Sequence, residues 1–190
     1  MRKEAPAYDV LYRVNQENNR IIIDIALNEY YEFFHEWDNS VFRKRDIHQE
    51  LASFLDLCSE EIPLKRELEI QFFVKNAERN PEKEERVRAS YSNYYKALLR
   101  ETRRSTRKII QTSGILLLVA GVLLFLHVVL GARISNSIYS KVLLESLLIG
   151  GWVFTWEAIH GMTIDIMTPF HRSREERRFI QAVITFVYPQ

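Results

Sequence analysis

Several residue types are scarce in this chain, whose 190 residues include one cysteine, six glycines and five prolines. The single Cys58 excludes an intramolecular disulfide and a cysteine-based zinc site, and it suits a reducing cytoplasm. The glycines form no phosphate-binding loop, and neither an HExxH zinc motif nor a nucleophile elbow occurs. We therefore expect no cofactor and no bound metal, and a binding protein is favoured over an enzyme.

An excess of charge of one sign is also missing. The formal net charge is +1, because 26 Lys and Arg residues oppose 25 Asp and Glu residues. A strongly basic nucleic-acid-binding protein is not indicated, so no nucleic acid partner is expected. The charged fraction of 27% without a dominant sign also argues against a disordered tail.

The sequence does contain two long apolar runs. The first, Ile109 to Leu130, has no formal charge and would span about 33 Å as a helix, close to the roughly 30 Å of a bilayer core. The second runs from Val142 to Ile159 after a short loop. We predict a two-helix transmembrane hairpin, with the lipid bilayer as a partner.

Basic residues cluster at the end of each run that lies away from the connecting loop. The loop between the runs carries Arg133 and Lys141 alone, whereas the outer flanks hold two clusters. The flanking residues are Arg100, Arg103, Arg104, Arg107 and Lys108 before the first run, and Arg172, Arg174, Arg177 and Arg178 after the second. By the positive-inside rule, both termini face the cytoplasm and the loop faces outward.

The remaining sequence predicts a small α+β domain. Residues 20–27 and 66–74 alternate apolar and polar residues, which is typical of half-buried strands, and residues 182–188 are a third candidate. A further strand at residues 9–14, with its turn at 15–19, fits the pattern too. The C-terminal strand returns to the same side of the membrane as the others, so it can complete their sheet.

Two helices are predicted beside these strands. One is capped by Asp46 with Gln49 in capping-box spacing and ends before Pro63. The other begins near Pro81, where Pro favours a first turn, and continues without Gly or Pro to Ser113. We predict about three strands and two helices in a cytoplasmic domain of residues 1–107, a hairpin of residues 108–160, and a cytoplasmic segment with the final strand at 161–190.

Polar and small residues inside the hairpin are the main candidate site residues. His127 and Glu145 would lie at similar depth, where they can form a hydrogen-bonded pair or line a conduction path. Four small residues, Gly114, Gly121, Ser146 and Gly150, are candidates for close helix packing, within the hairpin or between copies. Trp152 and Trp156 are typical of interfacial anchors.

One catalytic pattern was weighed. Arg43 and His48 fit the Arg-x4-His motif of HEPN ribonucleases, in which a cation and an imidazole handle the scissile phosphate. One such match often occurs by chance in a chain with 26 Lys and Arg residues. Asp46, which lies between Arg43 and His48, is typical of a helix cap. The ribonuclease interpretation therefore ranks third.

The segment from Glu145 to Glu157, followed by a basic stretch and a final strand, resembles a family of uncharacterised small bacterial membrane proteins. In that family a cytoplasmic α/β domain with a Phe-Arg-x-Arg-Asp segment, here residues 42–46, precedes a two-helix hairpin. This chain has Glu157 and Ala158 where the family favours a Pro-containing turn. The resemblance implies a multi-pass protein of the bacterial inner membrane, and it implies no activity.

The leading functional hypothesis is a membrane-anchored, non-enzymatic binding or scaffold module. Its cytoplasmic domain would bind a protein or a small ligand, and its hairpin would self-associate into a homo-oligomer. The alternative is an oligomeric pore or membrane-perturbing effector of a bacterial stress or phage-defence system. His127, Glu145 and the small residues permit both hypotheses.

Overall fold

The computed structural model describes residues 11–34, 47–76, 78–133 and 137–189. In chain order its elements are β1 (Arg13–Val14), β2 (Ile21–Leu27), a 3-10 helix (Tyr30–Phe33), α1 (Gln49–Glu61), β3 (Leu68–Val74), α2 (Pro81–Gly131), α3 (Ile138–His160), a π-helical turn (Gly161–Asp165), α4 (Met167–Gln181) and β4 (Val183–Val187). The chain divides into an α/β unit, residues 1–100 and 173–190, and a helical unit, residues 101–172.

The sheet of the α/β unit has the strand order β1-β2-β3-β4. β2 runs parallel to β3, with Ile21 opposite Leu68, and β3 runs parallel to β4, with Phe72 opposite Phe186. Parallel neighbours need a crossover connection. The chain from β2 to β3 passes through α1, and the chain from β3 to β4 passes through α2, α3 and α4, so the helical unit is inserted into a crossover.

The hydrophobic core of the α/β unit lies on one face of this sheet. Alternate residues of β2 point into it, since Ile21, Ile23, Ile25 and Leu27 are all buried. The matching residues of β3 do the same. Helix residues that complete this core cluster are Leu55 and Cys58 of α1, Val87, Tyr91 and Tyr95 of α2, and Phe179 of α4. Three helices that are distant in sequence therefore share one core.

The prediction of a mixed α/β chain with two long apolar helices is confirmed, but its element count is not. The described residues contain four strands, because the short β1 pairs antiparallel with β2. At the turn between them Asn19 has a φ of 57°, a left-handed conformation that Asn tolerates better than most residues. The α/β unit also includes α4 from Ser173 onward, and the sequence did not predict this helix. Pro169 lies in the first turn of α4, where a helix needs no N–H at that position.

Two helical stretches, residues 81–131 and 138–181, are long and apolar enough to cross a membrane. Only 6% and 11% of their most apolar windows are buried. Large apolar side chains stand exposed along them, for example Leu118 at 68% and Phe125 at 66%. Within the described residues, the most apolar part of each stretch therefore does not pack as the core of a soluble fold.

Candidate functional site

Helices α2 and α3 pack closely at Gly151, which faces Leu124 and Ala120. A Cβ atom at Gly151 would stand 2.6 Å from Leu124 Cδ2 and 3.5 Å from the carbonyl oxygen of Ala120. At Gly161 a Cβ atom would clash with the hydroxyl oxygen of Ser113. A Cβ atom at either glycine would therefore require the facing side chain, Leu124 or Ser113, to move, and such packing at small residues is common between membrane helices.

The small residues singled out from the sequence lie elsewhere. A Cβ atom at Gly114 or Gly121 would have nothing within 4 Å, and one at Gly150 would make an ordinary 3.4 Å contact with Leu123. Ser146 is exposed, and its hydroxyl donates to the carbonyl of Val142 at 2.8 Å. Gly114 and Gly121 are exposed and thus lie on the outer surface of the helical unit.

The imidazole of His127 finds a backbone partner. Its Nδ1 lies 2.9 Å from the carbonyl oxygen of Leu144, which precedes Glu145. Glu145 itself is exposed, and no hydrogen bond or ion pair between it and His127 occurs in the described part of the chain. His127 thus contacts the backbone next to Glu145, whereas the side chain of Glu145 is exposed. Trp152 and Trp156 are 65% and 69% exposed on the surface of α3.

The basic residues before the first apolar run are solvated. Arg100, Arg103, Arg104, Arg107 and Lys108 are all exposed on α2. In the second cluster Arg172, Arg174 and Arg177 are exposed, whereas Arg178 is only 7% exposed. The two clusters therefore differ, because one member of the second is buried and not available to solvent.

The guanidinium of Arg178 is held by the end of α1. Its Nη1 donates to the carbonyls of Ile62 and Pro63, at 2.9 and 3.0 Å. Its Nη2 donates to the carbonyl of Ser59 at 2.9 Å and to the Ser59 hydroxyl at 2.5 Å. Carbonyls at a helix C-terminus lack intrahelical donors and favour a cation. Burial lowers the pKa of Arg178, and the nearby carboxylate of Glu175 opposes that shift.

An open cavity of about 360 Å³ lies where β2 and β3 end, which is the edge at which parallel sheets commonly bind ligands. Lys83 stands over the rings of Tyr30 and Tyr31, with its Nζ 5.7 and 5.5 Å from the ring centres. Charges of both signs line the cavity. The lining residues are Glu29, Tyr30, Tyr31, Asn76, Glu78, Arg79, Asn80 and Lys83.

A hydrogen-bond chain fixes the tyrosine at this cavity. The hydroxyl oxygens of Tyr30 and Tyr188 are 2.6 Å apart, and the Tyr188 hydroxyl donates to Glu84 Oε1 at 2.7 Å. Since the proton of Tyr188 goes to Glu84, Tyr30 is the donor in the first bond. Burial, helped by the bonds to Tyr30 and Glu84, raises the pKa of Tyr188 above its usual range. Tyr188 therefore stays neutral at ordinary pH, and its hydroxyl holds that of Tyr30 in place.

Only the histidine of the ribonuclease motif lies among the described residues. Arg43 and Asp46 lie outside the described residues. The Nδ1 of His48 accepts the backbone N–H of Glu50 at 3.3 Å, so this histidine caps α1 in the place expected for Asp46. Within the described ranges no group of three His, Cys, Asp or Glu residues is placed to hold a metal ion.

The sequence analysis did not identify the structural role of three residues, Gly151, Arg178 and Tyr188. The sequence signal for Gly151 is its spacing of seven residues from Ala158, a second small residue on the same helix face, which the structure shows to be buried. Arg178 carries no local signal that separates it from Arg177. Tyr188 meets Tyr30 across 158 positions of sequence, and no local pattern encodes that contact.

Comparisons with protein-family models, curated proteins and solved structures gave no match for this chain.

Proposed function

We propose that the protein is a non-enzymatic binding or scaffold module anchored in the inner membrane of a bacterium. In this proposal α2 and α3 cross the bilayer as a hairpin, and the α/β unit and both termini lie in the cytoplasm. The cavity at the ends of β2 and β3 is its candidate site for a small polar ligand or a peptide side chain. The hairpin associates with further copies to form a homo-oligomer.

The observation that carries the proposal is the exposed apolar surface of the helical unit. Side chains as large as Phe125, Trp152 and Trp156 are each at least 65% exposed. Apolar exposure of this extent is unfavourable in water and indicates contact with lipid or with other protein. Lipid explains its presence along the length of both helices. The basic clusters at the two outer ends, opposite a loop with few cations, support the cytoplasmic orientation.

Cysteine accessibility in intact cells tests this topology. Cys58 is buried, so a membrane-impermeant thiol reagent should label the parent protein weakly. Tyr139→Cys, at a position that is 88% exposed, should be labelled from outside the cell. Ser105→Cys and Ser173→Cys should be labelled only after the cells are permeabilised. Labelling of position 105 in intact cells would contradict the proposal.

Self-association is tested at the outward-facing glycines. Gly121→Leu fills open space on the outer surface and should shift the full-length protein in mild detergent toward monomers, as measured by light scattering. Val122→Leu, at the next and 48% exposed position, is the matched control and should leave the oligomer intact. A protein that is monomeric before any substitution would refute the oligomer.

An oligomeric pore or membrane-perturbing effector is the second candidate. Glu145 favours it, because a carboxylate among apolar residues of a spanning helix needs water or a partner, and this one is exposed. Reconstituted protein should then conduct ions, and Glu145→Gln should reduce cation preference while the oligomer keeps its size. Under the anchor proposal, both proteins leave the vesicles impermeable.

A further inference from the structure

One face of α4 and the chain leading into β3 together form a second cavity, of about 350 Å³, in the α/β unit. Arg174, Arg177, Arg178 and Gln181 follow one another at intervals of three, one and three residues, so they share a face of α4. The opposite wall is the segment from Leu64 to Leu68, which brings Lys65 and Arg66. Five cationic side chains therefore surround one opening.

The acidic residue that lines this cavity already forms an ion pair. Glu67 is the single acidic residue in its lining, and its carboxylate accepts from Arg20 Nε at 3.0 Å. In the described part of the chain no ion pair within 4 Å is formed by Lys65, Arg174 or Arg177. Cations without an ion-pair partner repel one another, and a bound anion reduces that repulsion among Lys65, Arg174 and Arg177.

Two of the cations are built into the protein rather than merely carried on its surface. Arg178 is more than nine-tenths buried and fixed by four hydrogen bonds to the end of α1. Arg66 is half-buried, and its Nη2 donates to Asn19 at 3.3 Å. The Nε atoms of both residues are buried and have no hydrogen-bond partner among the described residues. Unpartnered buried donors are costly, and a small shift on binding would give them an acceptor.

We propose that this cavity is a binding site for a phosphate group carried by a small molecule or by a phospholipid headgroup. Arginine forks match the oxygens of a phosphate, and Lys65 adds a mobile ammonium. The volume suits one phosphorylated headgroup or metabolite and is too small for a folded partner. The site belongs to the α/β unit alone, so the proposal does not require the hairpin to cross a membrane.

The test uses the full-length protein in two settings at fixed ionic strength. In uncharged detergent, glycerol 3-phosphate is titrated calorimetrically as the free-phosphate probe. In nanodiscs, thermal unfolding of the α/β unit is compared between phosphatidylcholine alone and phosphatidylcholine with one fifth phosphatidylglycerol. The variant Lys65→Gln/Arg177→Gln changes two exposed residues of the cavity and leaves Arg178 in place. The control Lys96→Gln/Arg100→Gln removes the same charges from an exposed part of α2.

We expect the cavity variant to lose at least about tenfold in affinity, equivalent to about 1.4 kcal/mol, or to lose the stabilisation by phosphatidylglycerol, while the control keeps it. Binding of glycerol 3-phosphate assigns the site to a free phosphate compound, and stabilisation by phosphatidylglycerol alone assigns it to a headgroup. Absence of both effects in the parent protein, or equal losses in the two variants, overturns the site. Neither of these negative results alters the topology expected from cysteine labelling.

Discussion

Replacing Arg178 with glutamine should destabilise the α/β unit far more than the same change at Arg177. The two arginines are neighbours on α4, but one is 7% exposed and the other is on the surface. Arg178 supplies four hydrogen bonds to the segment that ends α1. Glutamine is shorter and cannot reach all of these acceptors.

The expected loss follows from the acceptors that would be left buried. The bonds to the carbonyls of Ser59 and Ile62 are fully buried, at 2.9 Å each. Hydrogen bonds to charged groups contribute about 1.5 to 3 kcal/mol, so losing two removes about 3 to 6 kcal/mol. Water entering the vacated space can restore one of them, which places the expected loss at about 3 kcal/mol. A change of this size lowers the melting temperature by roughly 10 °C.

The measurement is thermal unfolding of the full-length protein in detergent, followed by circular dichroism and by resistance to trypsin. Arg177→Gln is the control and should change the free energy of unfolding by no more than about 0.5 kcal/mol, as is usual for surface positions. If Arg178→Gln yields no folded protein, Ser59→Ala removes only the hydroxyl acceptor and should cost about 1.5 to 3 kcal/mol. Equal stability of Arg178→Gln and Arg177→Gln would refute the assigned role of Arg178.

Three other outcomes are expected. Gly151→Ala and Gly114→Ala gain the same helix propensity, so the difference in their resistance to denaturing detergent reports the tight contact at Gly151. Gly151→Ala should be less stable than Gly114→Ala by about 1 to 3 kcal/mol. Equal stability of the two variants would contradict that contact. Because the folded-state pKa of Tyr188 lies above its ordinary value of 10.0, its stabilising effect is complete below about pH 10 and is lost as the pH rises through the raised value. Tyr188→Phe should therefore lower stability at neutral pH, by leaving Glu84 without that donor, and should flatten part of the alkaline loss measured by circular dichroism. Ending the chain before β4 removes a ring stacked 5.5 Å from that of Phe72 and should make the α/β unit sensitive to protease; an unchanged digestion pattern would show that β4 is dispensable.

Local sequence pattern was sufficient for the elements whose signal is periodic or continuous. The alternation of Ile21, Ile23 and Ile25 predicted β2 because side chains on a strand point to opposite faces. The start of α2 followed from Pro81, whose fixed φ and missing N–H suit a first helical turn. The two apolar helices followed from length and absence of charge. Each of these features depends on residues within a few positions of one another.

Among residues that look alike in the sequence, the tertiary structure determines which ones form the important contacts. Arg177 and Arg178 are identical in sequence terms, but helical geometry turns one toward α1 and leaves the other in solvent. Gly114, Gly121 and Gly151 all lie in apolar helices, and only Gly151 meets a facing backbone, because the register between α2 and α3 sets the contact. Tyr188 reaches Tyr30 only because the chain returns through α4 to form β4. Such contacts join residues far apart along the chain, so their energies depend on the completed fold and leave no periodic trace in the sequence.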